Sequence, residues 1–403
     1  MGSVLREPSH LRHGTLTVLN EFHPGPLTAI AIAIRAGSRC DGAYPGIAHM
    51  TEHMLFQGTR KLDQAHLNRR AGELGGEHDA DTGYEDMTLH FEVFNEDVED
   101  ALALLAAQLF DSTVPADRLA KERRVVVDEI RGRLEDPANY LHEHAWGRFF
   151  GGPLGHPVCG TIASVRRMTR TAVRNFAARH FVPRNMVLGV VGGIRRGALL
   201  RGIARVFPRG GAKPRPLPPL GRRRARGFIR LRRRDLTQAY LVRLMETSPE
   251  PRRAFALGLA LEIVGADPDA RLFQEIRERL GLGYDLGASV ELGADWAVAI
   301  VSASSSRDDE RRLVDTVDRT CEEAAKGFSA DELARARKKI RYRFARLATS
   351  PLDRAVSHAT RAANGQLSLA RAARLIPRIT LAEVEAAWRS ALEGPTLTAV
   401  LSD

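Results

Sequence analysis

Cysteine is scarce in this chain, and long hydrophobic runs are missing. The three cysteines, Cys40, Cys159 and Cys321, are odd in number and widely scattered. They form neither a C-x-x-C pair nor a disulfide framework, which favours a reducing compartment. No apolar run approaches the roughly 18 residues that a membrane-spanning helix requires. The best, around Ala29 to Ile34, is strand-sized. Residues 1–14 contain no apolar core of the kind a secretory signal needs. Arg6 stands where a myristoylation signal after Gly2 wants Ser or Thr. No recognised nucleic-acid module occurs either. The expectation is a cytoplasmic, soluble chain with no membrane segment and no specific nucleic-acid partner.

What is present is a large globular composition. The chain has 403 residues, 44% hydrophobic and 27% charged, enough for two or three domains with a sizeable core. Its net charge of +11 is carried mainly by arginine and diluted over the whole length. Strand patterns at Thr15 to Leu19, Thr28 to Ile34 and Met87 to Val93 are interleaved with helix patterns. The helices are expected at Gly46 to Gln57, Leu62 to Leu74, Asn95 to Phe110 and Ala116 to Leu134, then at Thr169 to His180 before a strand at Asn185 to Val191.

Between Pro208 and Pro219 lie Gly210, Gly211, Pro214, Pro216 and Pro218, hostile to helix and central strand alike. Eight arginines follow between Arg222 and Arg234, read as a solvated, charged edge strand. Beyond them the pattern repeats at an offset of about 211 to 214 residues. Met168-Thr169 opening a helix is echoed by Ile379-Thr380, and the strand near Val187 by Leu397 to Leu401. The expected fold is α+β, with two homologous domains, each a mainly antiparallel sheet packed with helices. The domains are placed at 1–207 and 228–403, joined by a Pro/Gly/Arg-rich linker at 208–227.

The chemistry centres on His49-Met50-Thr51-Glu52-His53. Residues four apart share a helix face, so both imidazoles can reach one ion. Zn²⁺ accepts three protein ligands with an open fourth position. Glu52 can then take a proton from water acidified by the metal. A histidine pair on a helix can equally serve packing or capping, so the pattern needs a third ligand. Glu122 and Glu129 lie seven residues apart on one expected helix face, and either can supply a carboxylate. A carboxylate turned toward the valines beside them needs a partner such as a metal.

These features together resemble the M16 metallopeptidases (pitrilysin-type, or inverzincin), in the short class that includes mitochondrial processing peptidase subunits. Glu129 follows His53 by 76 positions (129 − 53), the family's spacing, with Glu122 seven before it. Gly37-Ser38-Arg39, Glu52-His53-Met54-Leu55-Phe56 before Gly58-Thr59, and Leu74-Gly75-Gly76-Glu77 match too. So does the run from His156-Pro157 through Gly160-Thr161 to Asn185-Met186-Val187. The resemblance implies a zinc peptidase that hydrolyses unfolded peptides by a metal-activated water. It makes His49, His53 and Glu129 ligands of one zinc per chain, Glu52 the general base, and Glu122 a carboxylate that orients a ligand.

The second half has no H-x-x-E-H, but Arg277 and Tyr284 stand seven apart in a context similar to the family's. The resemblance implies that this pair reaches the active site as catalytic helpers, in short members from the partner subunit. Both motifs in one chain imply a homodimer, with a heterodimer with a related chain as the alternative. The family's substrate-binding Asn-Ala is Asp79-Ala80 here. Asp lacks the amide donor and adds charge, while Ala80 retains backbone pairing by strand addition. The rival function is a non-catalytic peptide-binding or regulatory subunit of the same fold.

Overall fold

The computed structural model describes residues 5–221, 225–265, 267–283 and 285–403. The first half runs β1 (Ser9–His13), β2 (Leu16–Phe22), β3 (Leu27–Ile34), α1 (Ile47–Leu55), α2 (Gln64–Glu73), β4 (His78–Thr82) and β5 (Met87–Phe94). It continues with α3 (Val98–Asp111), α4 (Ala116–Glu135), α5 (Pro137–Phe150), α6 (Ile162–Arg167), α7 (Arg170–His180), β6 (Met186–Gly192) and α8 (Arg196–Val206). The second half begins β7 (Gly227–Arg232), β8 (Gln238–Thr247), α9 (Pro251–Val264), α10 (Arg271–Phe273), β9 (Leu286–Leu292) and β10 (Ala297–Ser306). It ends α11 (Glu310–Ala324), α12 (Ala330–Leu347), α13 (Pro351–Ala363), α14 (Leu369–Leu375), α15 (Leu381–Glu393) and β11 (Thr396–Ser402).

The strands form two sheets, ordered β1-β2-β6-β3-β5-β4 and β7-β11-β8-β10-β9. Apart from β1, the two orders are the same when each strand is matched to its counterpart about 210 residues on. Both sheets are antiparallel except for one parallel pair, β2 with β6 and β7 with β11. The expected α+β class with two homologous sheet-and-helix domains is therefore the observed one. The arginine run falls where an edge strand was expected: β7 pairs with β11 at the sheet margin, and Arg226, Arg230, Arg232 and Arg234 are exposed. Arg222 to Arg224 lie outside the described residues.

The chain divides into two compact units. One holds the described residues up to Arg131, His156–Pro219 and Ala345–Arg371; the other holds Gly132–Gly155, the described residues of 220–344, and Ala372–Asp403. The strands sort by half of the chain, but two helices do not. α5, from the first half, packs on β8 and β11, whereas α13, from the second, packs on β3 and β6. The sequential boundaries expected at 1–207 and 228–403 thus differ from the compact units at 132–155 and 345–371.

Small residues explain how α13 seats. Strand β3 alternates Ala and Ile, so Ile30, Ile32 and Ile34 fill one face and Ala29, Ala31 and Ala33 the other. The alanine face, with Leu19, Val187 and Val191, packs against Ala355, Ala359 and Ala363 of α13. Gly189 lets the backbones close up, since a Cβ there would lie 2.3 Å from the Ala355 carbonyl oxygen. Burial at this contact also includes charge: Glu21 on β2 accepts from Arg354 and lies 2.8 Å from His358 Nε2, all three buried.

Candidate metal centre

Helix α1 carries His49, Glu52 and His53. It has no capping side chain, because the residue before it, at the N-cap, is Gly46 with φ +89°. The buried carboxylate of Asp41 does the work instead, accepting from the N–H groups of Gly46 and, at 3.0 Å, Ala48. The two imidazoles stand side by side, ring centroids 4.6 Å apart and 70° between planes. One turn of spacing has put them on a common face, as the four-residue interval requires.

Helix α4 meets them with both glutamates on its inner face, beside buried Val126. Glu129 spans the imidazoles: Oε1 lies 3.6 Å from His49 Nε2 and Oε2 3.7 Å from His53 Nε2. Glu122, 7% exposed, accepts a hydrogen bond at 3.0 Å from His53 Nδ1. That bond fixes the tautomer and leaves the Nε2 lone pair directed at the Glu129 side. Burial disfavours a charged His53, but Glu122, Glu52 and Glu129 together outweigh it and raise its pKa. The cluster attracts positive charge.

Glu52 faces the same space, with one carboxylate oxygen grouped with ring nitrogens of His49 and His53 within 4.8 Å. Burial pushes its carboxyl up to about 7, against the 2.5 Å hydrogen bond it accepts from the Thr82 hydroxyl. These residues suit a zinc ion. Tetrahedral zinc, with nitrogen and oxygen ligands at about 2.0–2.2 Å, sets neighbouring donors about 3.3–3.6 Å apart. The separations of 3.6 and 3.7 Å from Glu129 to the two imidazoles are close to that requirement.

Thr82 comes from β4, which contacts α1. Among the described residues β4 pairs only with β5, so its other edge is open beside the histidine helix. His78, Ala80 and Thr82 share one face of the strand, and Asp79 and Asp81 are exposed on the other. Asp79 folds its carboxylate onto the strand, accepting from the Ala80 N–H at 2.8 Å. A peptide pairing with that N–H has to displace Asp79.

Arg277 lies in the other compact unit, on the π-helical turn Gln274–Arg279. Its half-exposed guanidinium stacks 5.2 Å from the Phe273 ring centroid and stands 3.9 Å from Glu278. Tyr284 lies outside the described residues. Two residues at the centre escaped sequence reasoning. Thr82 could have been found two positions beyond Ala80 on the same strand face. Cys159 lies within the matched run His156 to Thr161, but nothing there marked the thiol itself: its Sγ lies 3.3 Å from Glu129 Oε1 and 4.0 Å from His49 Nε2, across 110 residues of chain.

Residues 16–161 match Insulinase (Peptidase family M16), and residues 167–340 match Peptidase M16 inactive domain. An uncharacterized zinc protease of Mycobacterium leprae is 32% identical over 301 residues, 72% of this chain and 67% of that protein. One from Streptomyces coelicolor is 29% identical over 338 residues, 80% of this chain and 73% of that protein. A protease from Helicobacter pylori has the same fold, with a TM-score of 0.92 at 16% identity, covering 99% of this chain and 100% of the other. The chain belongs to peptidase family M16.

Proposed function

We propose that this chain is a zinc peptidase that hydrolyses extended, unfolded peptides. The observation that carries the proposal is the bridging of two imidazoles by the two oxygens of Glu129, with Glu122 holding one ring from behind. His49, His53 and Glu129 would hold one zinc per chain. When bound, the metal supplies a Lewis acid that polarises a peptide carbonyl and acidifies a water. Glu52 holds the proton taken from the attacking water and passes it to the leaving amine, and the Thr82 hydroxyl keeps that carboxylate aimed. The open edge of β4 binds substrate backbone as an added strand, with Asp79 swinging off the Ala80 N–H.

The proposal extends to assembly. Arg277 and Tyr284 assist at the metal site of a second copy, as cation and phenol beside the developing oxyanion. Two-fold association of identical chains supplies one pair to each site. The protein acts without membrane or nucleic-acid partners, in the cytoplasm.

The direct test is elemental analysis and peptide cleavage on purified protein. One zinc per chain is expected, with hydrolysis of an unstructured peptide that a chelator abolishes and zinc restores. Stoichiometric zinc without any hydrolysis favours the peptide-binding or regulatory subunit. Hydrolysis unaffected by complete metal removal contradicts the zinc chemistry.

A further inference from the structure

Cys159 reaches the metal centre from a third segment, the loop between α5 and α6. It is 6% exposed, and its Sγ completes a three-donor group with His49 and Glu129 within 4.8 Å. Neighbouring donors around zinc, with sulfur at about 2.3 Å and nitrogen or oxygen at about 2.0–2.1 Å, lie about 3.3–3.6 Å apart. The three edges here are 3.3 Å from Sγ to Glu129 Oε1, 3.6 Å from Glu129 Oε1 to His49 Nε2, and 4.0 Å from Sγ to His49 Nε2. Two of these edges match that spacing and the third is longer, so the thiol joins the cluster at its His49–Glu129 edge.

Its position is built into the backbone. Gly160 has φ +76°, and a Cβ there would lie 2.1 Å from the Pro45 carbonyl oxygen. A Cβ on Gly46, at the start of α1, would lie 2.5 Å from the Cys159 carbonyl oxygen. Two glycines thus press the Cys159 segment against the end of the histidine helix, and Thr161 anchors its far side by capping α6 at Ser164 N, 3.1 Å. Thiol and imidazoles are carried on segments packed backbone to backbone.

We propose that Cys159 is a fourth metal ligand, which closes the His49, His53 and Glu129 shell in the resting protein and is displaced when peptide arrives. The inference rests on the zinc reading above. As the sulfur–metal bond forms, the thiol proton leaves to solvent; on displacement the sulfur takes a proton back, and nothing is oxidised or reduced. Four protein ligands leave no position for an attacking water, so the resting site is latent. Peptide binding along β4 then opens it.

Cobalt(II) substitution separates this idea from the reading beneath it. Cobalt bound through thiolate shows a near-ultraviolet charge-transfer band that nitrogen and oxygen ligands do not give. Wild-type protein should bind one cobalt and show the band; Cys159→Ala should bind cobalt at least about tenfold more weakly and lose the band. A Cys40→Ser/Cys321→Ser protein, with Cys159 its one thiol, should keep the band and so decides the matter even if the alanine variant misfolds. Unstructured peptide added to cobalt-loaded Glu52→Gln protein should bleach it. Cobalt bound stoichiometrically without the band overturns the fourth ligand and leaves the three-ligand site standing. Peptide bound, by fluorescence anisotropy, with the band unchanged overturns displacement. Failure to bind cobalt at all overturns the metal site itself.

Discussion

Glu122 and Glu129 share a face of the same helix, yet the structure gives them different neighbours. Glu129 touches the outward nitrogens of both histidines, and Glu122 only the inward nitrogen of one. Exchange for glutamine separates their effects. Glu129→Gln removes a charged ligand and should leave little zinc after dialysis. Glu122→Gln keeps the ligand set and should weaken zinc about 10- to 100-fold, the usual cost of an orienting partner. The check is zinc affinity by competition with a chelating dye, and equal affinities in the two variants contradict the assignment. The histidines were legible because a four-residue interval shares a helix face, and the two glutamates because their spacing from His53 and from each other matches the family that the sequence resembles. Their division into ligand and orienting carboxylate came from the resemblance; the ring nitrogen that each one meets was not legible, since that depends on how α4 lies against α1. Thr82 and Cys159 join the centre across 30 and 110 residues, through tertiary placement that no local period encodes.

At the scale of elements, β2, β3, β5 and β6, helices α1 to α4 and α7, and the internal repeat could be read from alternation and from three- and four-residue spacing. The exchange of α5 and α13 could not. Both are ordinary amphipathic helices in sequence, and each simply continues past its own half to cover the other half's sheet. The trace it leaves is compositional: an alanine face on β3, a glycine at 189 and an alanine stripe on α13. The buried Glu21, Arg354 and His358 contact fixes that seat. Removing one member of a buried ion pair strands the other, so Glu21→Gln should destabilise the first unit by about 3 kcal/mol. Urea unfolding followed by circular dichroism measures this, and an unchanged midpoint contradicts a structural role for the contact.

For the whole molecule, duplication gave two sheets of the same order but only one metal motif. H-x-x-E-H occurs in the first half alone, and Arg277 and Tyr284 lie in the second. The proposed division of labour between two copies makes a mixed dimer informative. One chain carries Glu52→Gln; the other carries Arg277→Ala with Tyr284→Phe. Each parent homodimer should be nearly inactive, whereas the co-expressed, doubly tagged mixture should recover close to half the wild-type rate from its one complete site. An intact, zinc-loaded mixed dimer without recovered activity contradicts action across the interface, and so does a fully active monomer.

The claim on which all of this depends is that Glu52 works on the proton of an attacking water while three other residues hold the metal. Glu52→Gln tests it, because glutamine keeps the shape and the hydrogen bond from Thr82 but cannot take a proton. Zinc content and cleavage of an unstructured peptide are measured together on the same preparation. The expected result is one zinc per chain, as in wild type, with hydrolysis slower by about 10²- to 10⁴-fold. Wild-type cleavage by the zinc-loaded variant contradicts the assignment.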